Sequence, residues 1–478
     1  MNSISNSRTT PFPSARLTGV SMDRATTTEA TGMLAHLGLS TWYAWLALLS
    51  ITIGFWLIDN SWDRSLLVME SELYTGSDNY TADRLESINP NSSMARLVLA
   101  AIGILGLVLP NATRFRFSSP LFWTIVAFFG WLCLSLLWSI HSSYTVYKLA
   151  VLVVLGCASV GISRQLTLRE IALLSMYACT TFIFVGVIAE IALGTFSPLG
   201  EYRFTGTSHP NTEAIYGSIL CLFAPLISSN QFRWKFLALL IFALGLACLM
   251  LTKSRTSLAA AVLGVMAIQV LSSRGEKRLL LALGSFLAIG LGAAVLAFMG
   301  IRAASQFGSL ADMGRGQDMT TLTGRLPLWE ILIESIGKSP WIGHGYLAYW
   351  DEEQVEYLSR TLKWEIPHGH NMYLDIALDS GLIGLALFFL CLSTSLLSSY
   401  GAAWQNESRH RVFLFGLIVC AIVNGLAESL FKLPGFPFFV VFTLLLRCMW
   451  EKIPKDSTSV PKFPWSIDRE LVPYRYPR

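Results

Sequence analysis

Three arginines, two histidines and an asparagine stand in this chain just where apolar helices are due to begin. His368, His370 and Asn371 close a polar stretch and open a strongly apolar one, in PHGHNMYLDIALDSGLIG from Pro367 to Gly384. Asparagine is a good helix N-cap, because its side-chain oxygen accepts from a backbone N–H that the first turn leaves without a partner. A helix is therefore expected from Met372, its partly positive end facing two imidazoles. Three more clusters stand out: Arg203-Phe-Thr-Gly206-Thr-Ser-His209-Pro210-Asn211-Thr-Glu213, Lys253-Ser-Arg255-Thr256-Ser257, and Thr323-Gly324-Arg325 with Trp329. Guanidinium forks match phosphate oxygens, and helix N-termini are ready anion sites. An imidazole, with a reference pKa of about 6.5, is suited to orient or take a hydroxyl proton. The chemistry these residues suggest is an anion held in place while a proton moves nearby.

Each cluster also has a plainer role. An arginine at a membrane interface usually snorkels to the headgroups, His209 and His344 suit turns, and Ser254, Thr256 and Ser257 suit a helix cap. Asp375 and Asp379 lie about one turn apart inside an apolar run, where an acid is costly. They fit a bundle-facing polar contact as well as they fit acceptor binding. Glu428 reads as structural. What favours a reactive site is the coincidence of four polar clusters on one face.

The elements that must position these clusters follow from composition. The chain has 478 residues, 53% hydrophobic and 14% charged, with a mean hydropathy of +0.53. Globular proteins carry roughly 25% charged residues, so this is the composition of a polytopic membrane protein. A spanning helix needs about 20 mainly apolar residues, and twelve candidates result. They are Gly38–Ile58, Met94–Leu109, Leu121–Ile140, Val146–Ile162, Ile171–Leu193, Glu213–Ile227, Phe236–Leu251, Leu258–Leu271, Leu279–Ile301, Met372–Leu397, Val412–Leu426 and Phe438–Trp450. All eight cysteines fall in apolar runs, which suits small packing residues and gives no disulfide or metal spacing. The net charge of +4 is spread over loops and implies no nucleic-acid surface.

Cation asymmetry sets the expected orientation. With a cytoplasmic N-terminus, the inner loops hold Arg114 and Arg116, Arg164 and Arg169, Arg233 and Lys235, Arg274, Lys277 and Arg278, and Arg409 and Arg411. The expected layout is a disordered cytoplasmic tail over 1–37, nine spans over 38–301, a large outer loop over 302–371, three spans over 372–450 and a second cytoplasmic tail over 451–478. A loop of that length should carry structure of its own. Leu326, Leu328, Trp329, Ile331, Leu332 and Ile336 recur at near-helical spacing, which predicts an amphipathic helix at the interface. Trp341-Ile-Gly-His-Gly-Tyr346 reads as a glycine-rich turn among aromatics. No H-E-x-x-H, GxSxG or Walker motif is present, and the adjacent Asp351, Glu352 and Glu353 make a poor metal cage.

Five elements occur together: R-x-x-G with H-P-N at Arg203–Asn211, S-R at Ser254-Arg255, G-R-x-x-x-W at Gly324–Trp329, G-x-G-Y at Gly343–Tyr346, and H-x-H-N-x-Y-L with G-x-x-G at His368–Gly384. In this order and spacing they resemble the O-antigen ligase superfamily of bacterial O-antigen ligases and O-antigen and exopolysaccharide polymerases. The resemblance implies an all-α, GT-C-like membrane fold in the bacterial inner membrane. It implies glycan transfer from an undecaprenyl-pyrophosphate-linked donor at the periplasmic face, with inversion and with no metal or cofactor. On it, Arg255 and Arg325 match the arginines that hold the donor pyrophosphate, with Arg203 a further candidate. His370 matches the essential histidine, beside His368, and Asn371, His209, Asn211, Lys253, Trp329, Tyr373 and Asp375 are supporting positions. The implied partners are the lipid-linked donor, a glycan or lipid A core acceptor, the bilayer and a chain-length regulator. G-x-G-Y-x-x-Y-W at Gly343–Trp350 leans toward a polymerase, with a ligase to lipid A core as the runner-up. A protein-directed oligosaccharyltransferase is a third enzymatic option. A flippase or transporter is the alternative of another class, but it expects ionisable residues at mid-membrane and here they gather at span ends.

Overall fold

The apolar runs become helices in a computed structural model that describes residues 39, 41–60, 92–111, 113–198, 202–227, 231–278, 280–284, 325–364, 366–404, 410–430 and 435–452. The chain divides after Ser40 into two units, and the helices all belong to the second, Thr41–Arg478. They are α1 (Trp42–Asp59), α2 (Ser92–Val108), α3 (Pro120–Leu134), α4 (Ser142–Gln165), α5 (Leu168–Ala192), α6 (Pro210–Phe223), α7 (Phe232–Leu251) and α8 (Arg255–Ser272). There follow α9 (Arg325–Lys338), α10 (Glu352–Leu362), α11 (Met372–Trp404), α12 (Arg411–Asn424) and α13 (Phe436–Arg447). Among the described residues, seven helices are long and apolar enough to cross a membrane, namely α1, α3 with the turn that extends it to Leu137, α4, α5, α7, α8 and α11. The shorter apolar helices α2, α12 and α13 stand where the second, eleventh and twelfth spans are expected. The ninth expected span lies outside the described residues beyond Gly284, as do residues 61–91, the first tail, and the second tail beyond Lys452.

Local sequence explains where these helices start. The Thr41 hydroxyl accepts from the Ala44 N–H and caps α1, while Thr167 and Glu170 form a reciprocal capping box on α5. Two short strands, β1 (Thr113–Phe115) and β2 (Trp450–Lys452), pair antiparallel with Thr113 opposite Lys452. That pairing brings the α2–α3 loop and the end of α13 together.

The predicted interfacial helix is α9. It buries Leu328 and Leu332 in a cluster with Tyr349, Trp350, Val355, Leu358, Ile366 and Leu378. Local pattern gives no element over α10, which Asp351 caps by accepting from the Gln354 N–H and which Lys363 ends in a left-handed conformation. Tyr349 ties the two helices together, its hydroxyl bonded to Ser335 and Gln354, and burial pushes its phenol above the ordinary value.

The expected tenth span is helical but not continuous. Gly381 has φ 68 and ψ −174, so α11 is two helices joined at a break. A broken helix at membrane depth must find other partners for its backbone groups. They come from the glycine-rich segment 339–345, which lies in the break as a strap. The Leu382 and Ile383 N–H groups donate to the Pro340 and Trp341 carbonyls, at 2.8 and 3.2 Å. In return the His344 and Gly345 N–H groups donate to the Leu378 and Asp379 carbonyls, at 2.8 and 2.9 Å. A side chain at Gly381 would collide with the Trp341 carbonyl in a backbone region that favours glycine. Gly381→Ala should therefore lower the thermal midpoint of the detergent-solubilised protein, with a backbone cost alone of about 1–3 kcal/mol. Gly156→Ala, where an added methyl meets nothing within 4 Å, is the matched control and should melt like wild type.

Candidate active site

The polar clusters, far apart in sequence, meet at one end of the bundle. The loop before α6 brings Arg203, held by its Nε–H to the Thr252 carbonyl (3.0 Å) and by Nη2 to Asn211 Oδ1 (2.7 Å). This loop is itself clamped by the fully buried Glu190, which accepts from the Thr205 N–H and hydroxyl and from the Gly206 N–H. His209 caps α6, its Nδ1 accepting from the Asn211 N–H. Asn211 then donates through Nδ2 to Glu428 Oε1 at 2.7 Å.

Arg325 opens α9 and reaches the same carboxylate. Its Nη2 lies 2.9 Å from Glu428 Oε1, and its Nη1 donates to the Ala427 carbonyl at 2.6 Å. Arg255 opens α8, where Ser254 donates to Ser257, and the Ser257 hydroxyl accepts from Asn424 at the end of α12. Lys253 shapes the turn ahead of it in a left-handed conformation, φ 51.

The histidine mouth is tightly built. Asn371 Oδ1 accepts from the Tyr373 and Leu374 N–H groups at 3.0 and 3.2 Å, which is the expected N-cap of α11. Both sides of Gly369 are pinned, its N–H by Asp375 and its carbonyl by the Trp329 indole. Asp375 also accepts from the Ser429 hydroxyl, a polar contact inside the bundle. Tyr373 likewise turns inward, its hydroxyl donating to the Ile422 carbonyl.

The His370 ring is buried at the mouth of α11. Only 4% of the residue is exposed. It lies between the rings of Trp364 and His368, at 5.4 and 4.1 Å, with its Nδ1 3.7 Å from Glu428 Oε2. Its backbone is left-handed, φ 46, and its N–H donates to His368 Nδ1 at 3.1 Å. His368 is the more accessible ring of the pair. His344 belongs elsewhere, with the strap, and its ring meets the Leu378 carbonyl.

Glu428 is the residue that sequence reasoning undervalued. The signal was there: a carboxylate between two apolar runs is costly to bury unless cations or donors meet it. Beside the site, a cavity is lined by Phe128, Leu132, Tyr346, Asp375, Asp379 and Phe438 among others. Along α11 its walls run from Asp375 to Ser395. At about 1.5 Å per residue that path is about 30 Å long, close to the thickness of a bilayer's hydrocarbon core. Among the described residues no group of three or more His, Cys, Asp or Glu side chains is placed to hold a metal ion.

Residues 237–389 match the family described as O-Antigen ligase, a stretch that includes Arg255, Arg325 and His370 and leaves Arg203 and Glu428 outside. The chain is 27% identical over 352 residues to the exopolysaccharide production protein ExoQ of Rhizobium meliloti (strain 1021), covering 69% of this chain and 78% of that protein. It is 26% identical over 354 residues to an O-antigen ligase of Pseudomonas aeruginosa, covering 71% of this chain and 79% of the relative. The resemblance carried by the motifs is thereby borne out: this chain, a multi-pass membrane protein, is similar to O-antigen ligases and to an exopolysaccharide production protein.

Proposed function

We propose that the protein transfers a glycan from an undecaprenyl-pyrophosphate-linked donor to a hydroxyl acceptor, at the outer face of the inner membrane. The observation that carries this reading is the meeting of Arg203, Arg325 and His370 around one buried carboxylate, from segments that span nearly half the chain. Arg325, Arg255 and Arg203 hold the pyrophosphate. As the bond from the anomeric carbon to the pyrophosphate oxygen breaks, its electron pair leaves with the phosphate. Preorganised guanidinium groups stabilise that charge, at a few kcal/mol for each well-placed donor. The acceptor hydroxyl attacks the opposite face with inversion, and its proton passes to His370, beside the tilted ring of His368. The apolar cavity takes the carrier's isoprenoid tail. No step in this scheme calls for a metal.

Polymerisation of a lipid-linked repeat unit is the favoured form, supported by the G-x-G-Y-x-x-Y-W wording and by the similarity to an exopolysaccharide production protein. Ligation to lipid A core is the second reading, supported by the similarity to an O-antigen ligase. The purified protein in vesicles, given the lipid-linked glycans of its own host, should release undecaprenyl pyrophosphate and lengthen the glycan on a second lipid carrier, with full activity in EDTA. Elongation only when lipid A core is supplied would select the ligase. Loss of activity in EDTA would reject the metal-free scheme.

The cation asymmetry supports cytoplasmic termini and an outer site. A reporter active only in the periplasm should give signal when fused after Lys363 and none when fused after Arg274. The reverse pattern would move the site to the cytoplasmic face.

A further inference from the structure

We infer that Glu428 is the counter-charge of His370, a positioning residue through which occupation of the anion site strengthens the base. The inference rests on the transfer reading above. Glu428 divides its two oxygens: Oε1 takes Arg325 and Asn211, while Oε2 faces His370 Nδ1 at 3.7 Å. That separation is too long for a hydrogen bond and short enough for a strong charge interaction, since both residues are buried. With Nδ1–H turned to the carboxylate, Nε2 carries the lone pair that receives the acceptor's proton.

The arginines do not depend on Glu428 for their places. Arg325 keeps the Ala427 carbonyl, and Arg203 keeps the Thr252 carbonyl and Asn211. What the carboxylate alone supplies is negative charge beside the imidazole, which stabilises the imidazolium formed as the proton arrives. Its pull is divided, because Arg325 neutralises part of it. A pyrophosphate that draws on the same guanidinium leaves more of the carboxylate's charge to the ring. Among the described residues, the charged or titratable groups that these contacts bring toward His370 include His368 from its own loop, Arg325 from α9, Arg203 through Asn211, and Asp375 through Gly369 and Ser429.

The test uses full-length protein labelled with ¹⁵N-histidine in nanodiscs with EDTA, and farnesyl pyrophosphate as the probe. The His370 resonance is assigned by its loss in His370→Gln. In Glu428→Gln, His370 should titrate about one pH unit lower than in wild type, a tenfold loss of proton affinity. Farnesyl pyrophosphate should still bind within threefold of wild type, and it should raise the His370 titration by more in wild type than in Glu428→Gln. Transfer should fall at least tenfold and be partly restored by Glu428→Asp, which also serves should the glutamine variant fail to fold. An unmoved His370 titration with probe binding weakened tenfold would overturn the inference and leave Glu428 as a prop for Arg325. Equal probe-induced shifts in both proteins would overturn the coupling. Failure of wild type to bind the probe would instead reject the pyrophosphate reading, while the His370 titration would still decide the role of Glu428.

Discussion

Replacing His370 with alanine should lower transfer by about 10²- to 10⁴-fold, the range expected when a general base is lost. In cells the product should disappear and the lipid-linked intermediate accumulate, with the protein at its normal level in the membrane. The buried ring packs on Trp364 and His368, so a matched measure of folding is needed. His370→Gln fills most of the space without the basicity and should be as inactive as alanine while melting close to wild type. His368→Ala should be milder, because that ring lies nearer solvent and its Nδ1 serves the His370 backbone. Normal product length and yield from His370→Ala would reject the histidine mechanism.

The second large effect is expected at Arg325 and Arg255. Alanine at either should cost about 10²- to 10³-fold in transfer, as loss of a preorganised donor to developing charge does. Lysine keeps the charge and loses the fork, so Arg255→Lys should remain clearly impaired. Arg325→Ala carries a complication that can be put to use. It strands the Glu428 carboxylate, whose side chain is 9% exposed, and an uncompensated buried charge costs about 3–5 kcal/mol. Pairing it with Glu428→Gln should restore the melting temperature and leave transfer low. Recovery of transfer together with stability would show that Arg325 matters only as a partner for Glu428.

What could be read from the chain was what depends on near neighbours. The Asn371 cap, the start of α8 at Ser254-Arg255 and the amphipathic α9 follow from residue types three or four positions apart. The arrangement of charge could not be read that way. Glu428 meets Arg325 and Asn211 across separations of 103 and 217 residues, and nothing around Leu426–Leu430 tells which cations arrive. The burial of His370 depends on Trp364, brought back over the ring by the turn that ends α10. The break at Gly381 was hidden for another reason: apolar residues run on through it, and the groups that complete its backbone lie some forty positions earlier.

That break has a consequence for how the protein is made. Until the strap docks, the Leu382 and Ile383 N–H groups and the Leu378 and Asp379 carbonyls have no helical partner at the break, and in hydrocarbon each such group costs several kcal/mol. The ribosome delivers Ser339–Gly345 before it delivers Gly381, so translation order provides the missing partners before the segment that needs them emerges. The same order makes the strap a poor place for insertions. Extra residues between Ser339 and Gly345 would shift its donors and acceptors out of register with α11, and biogenesis would stall at a half-built span.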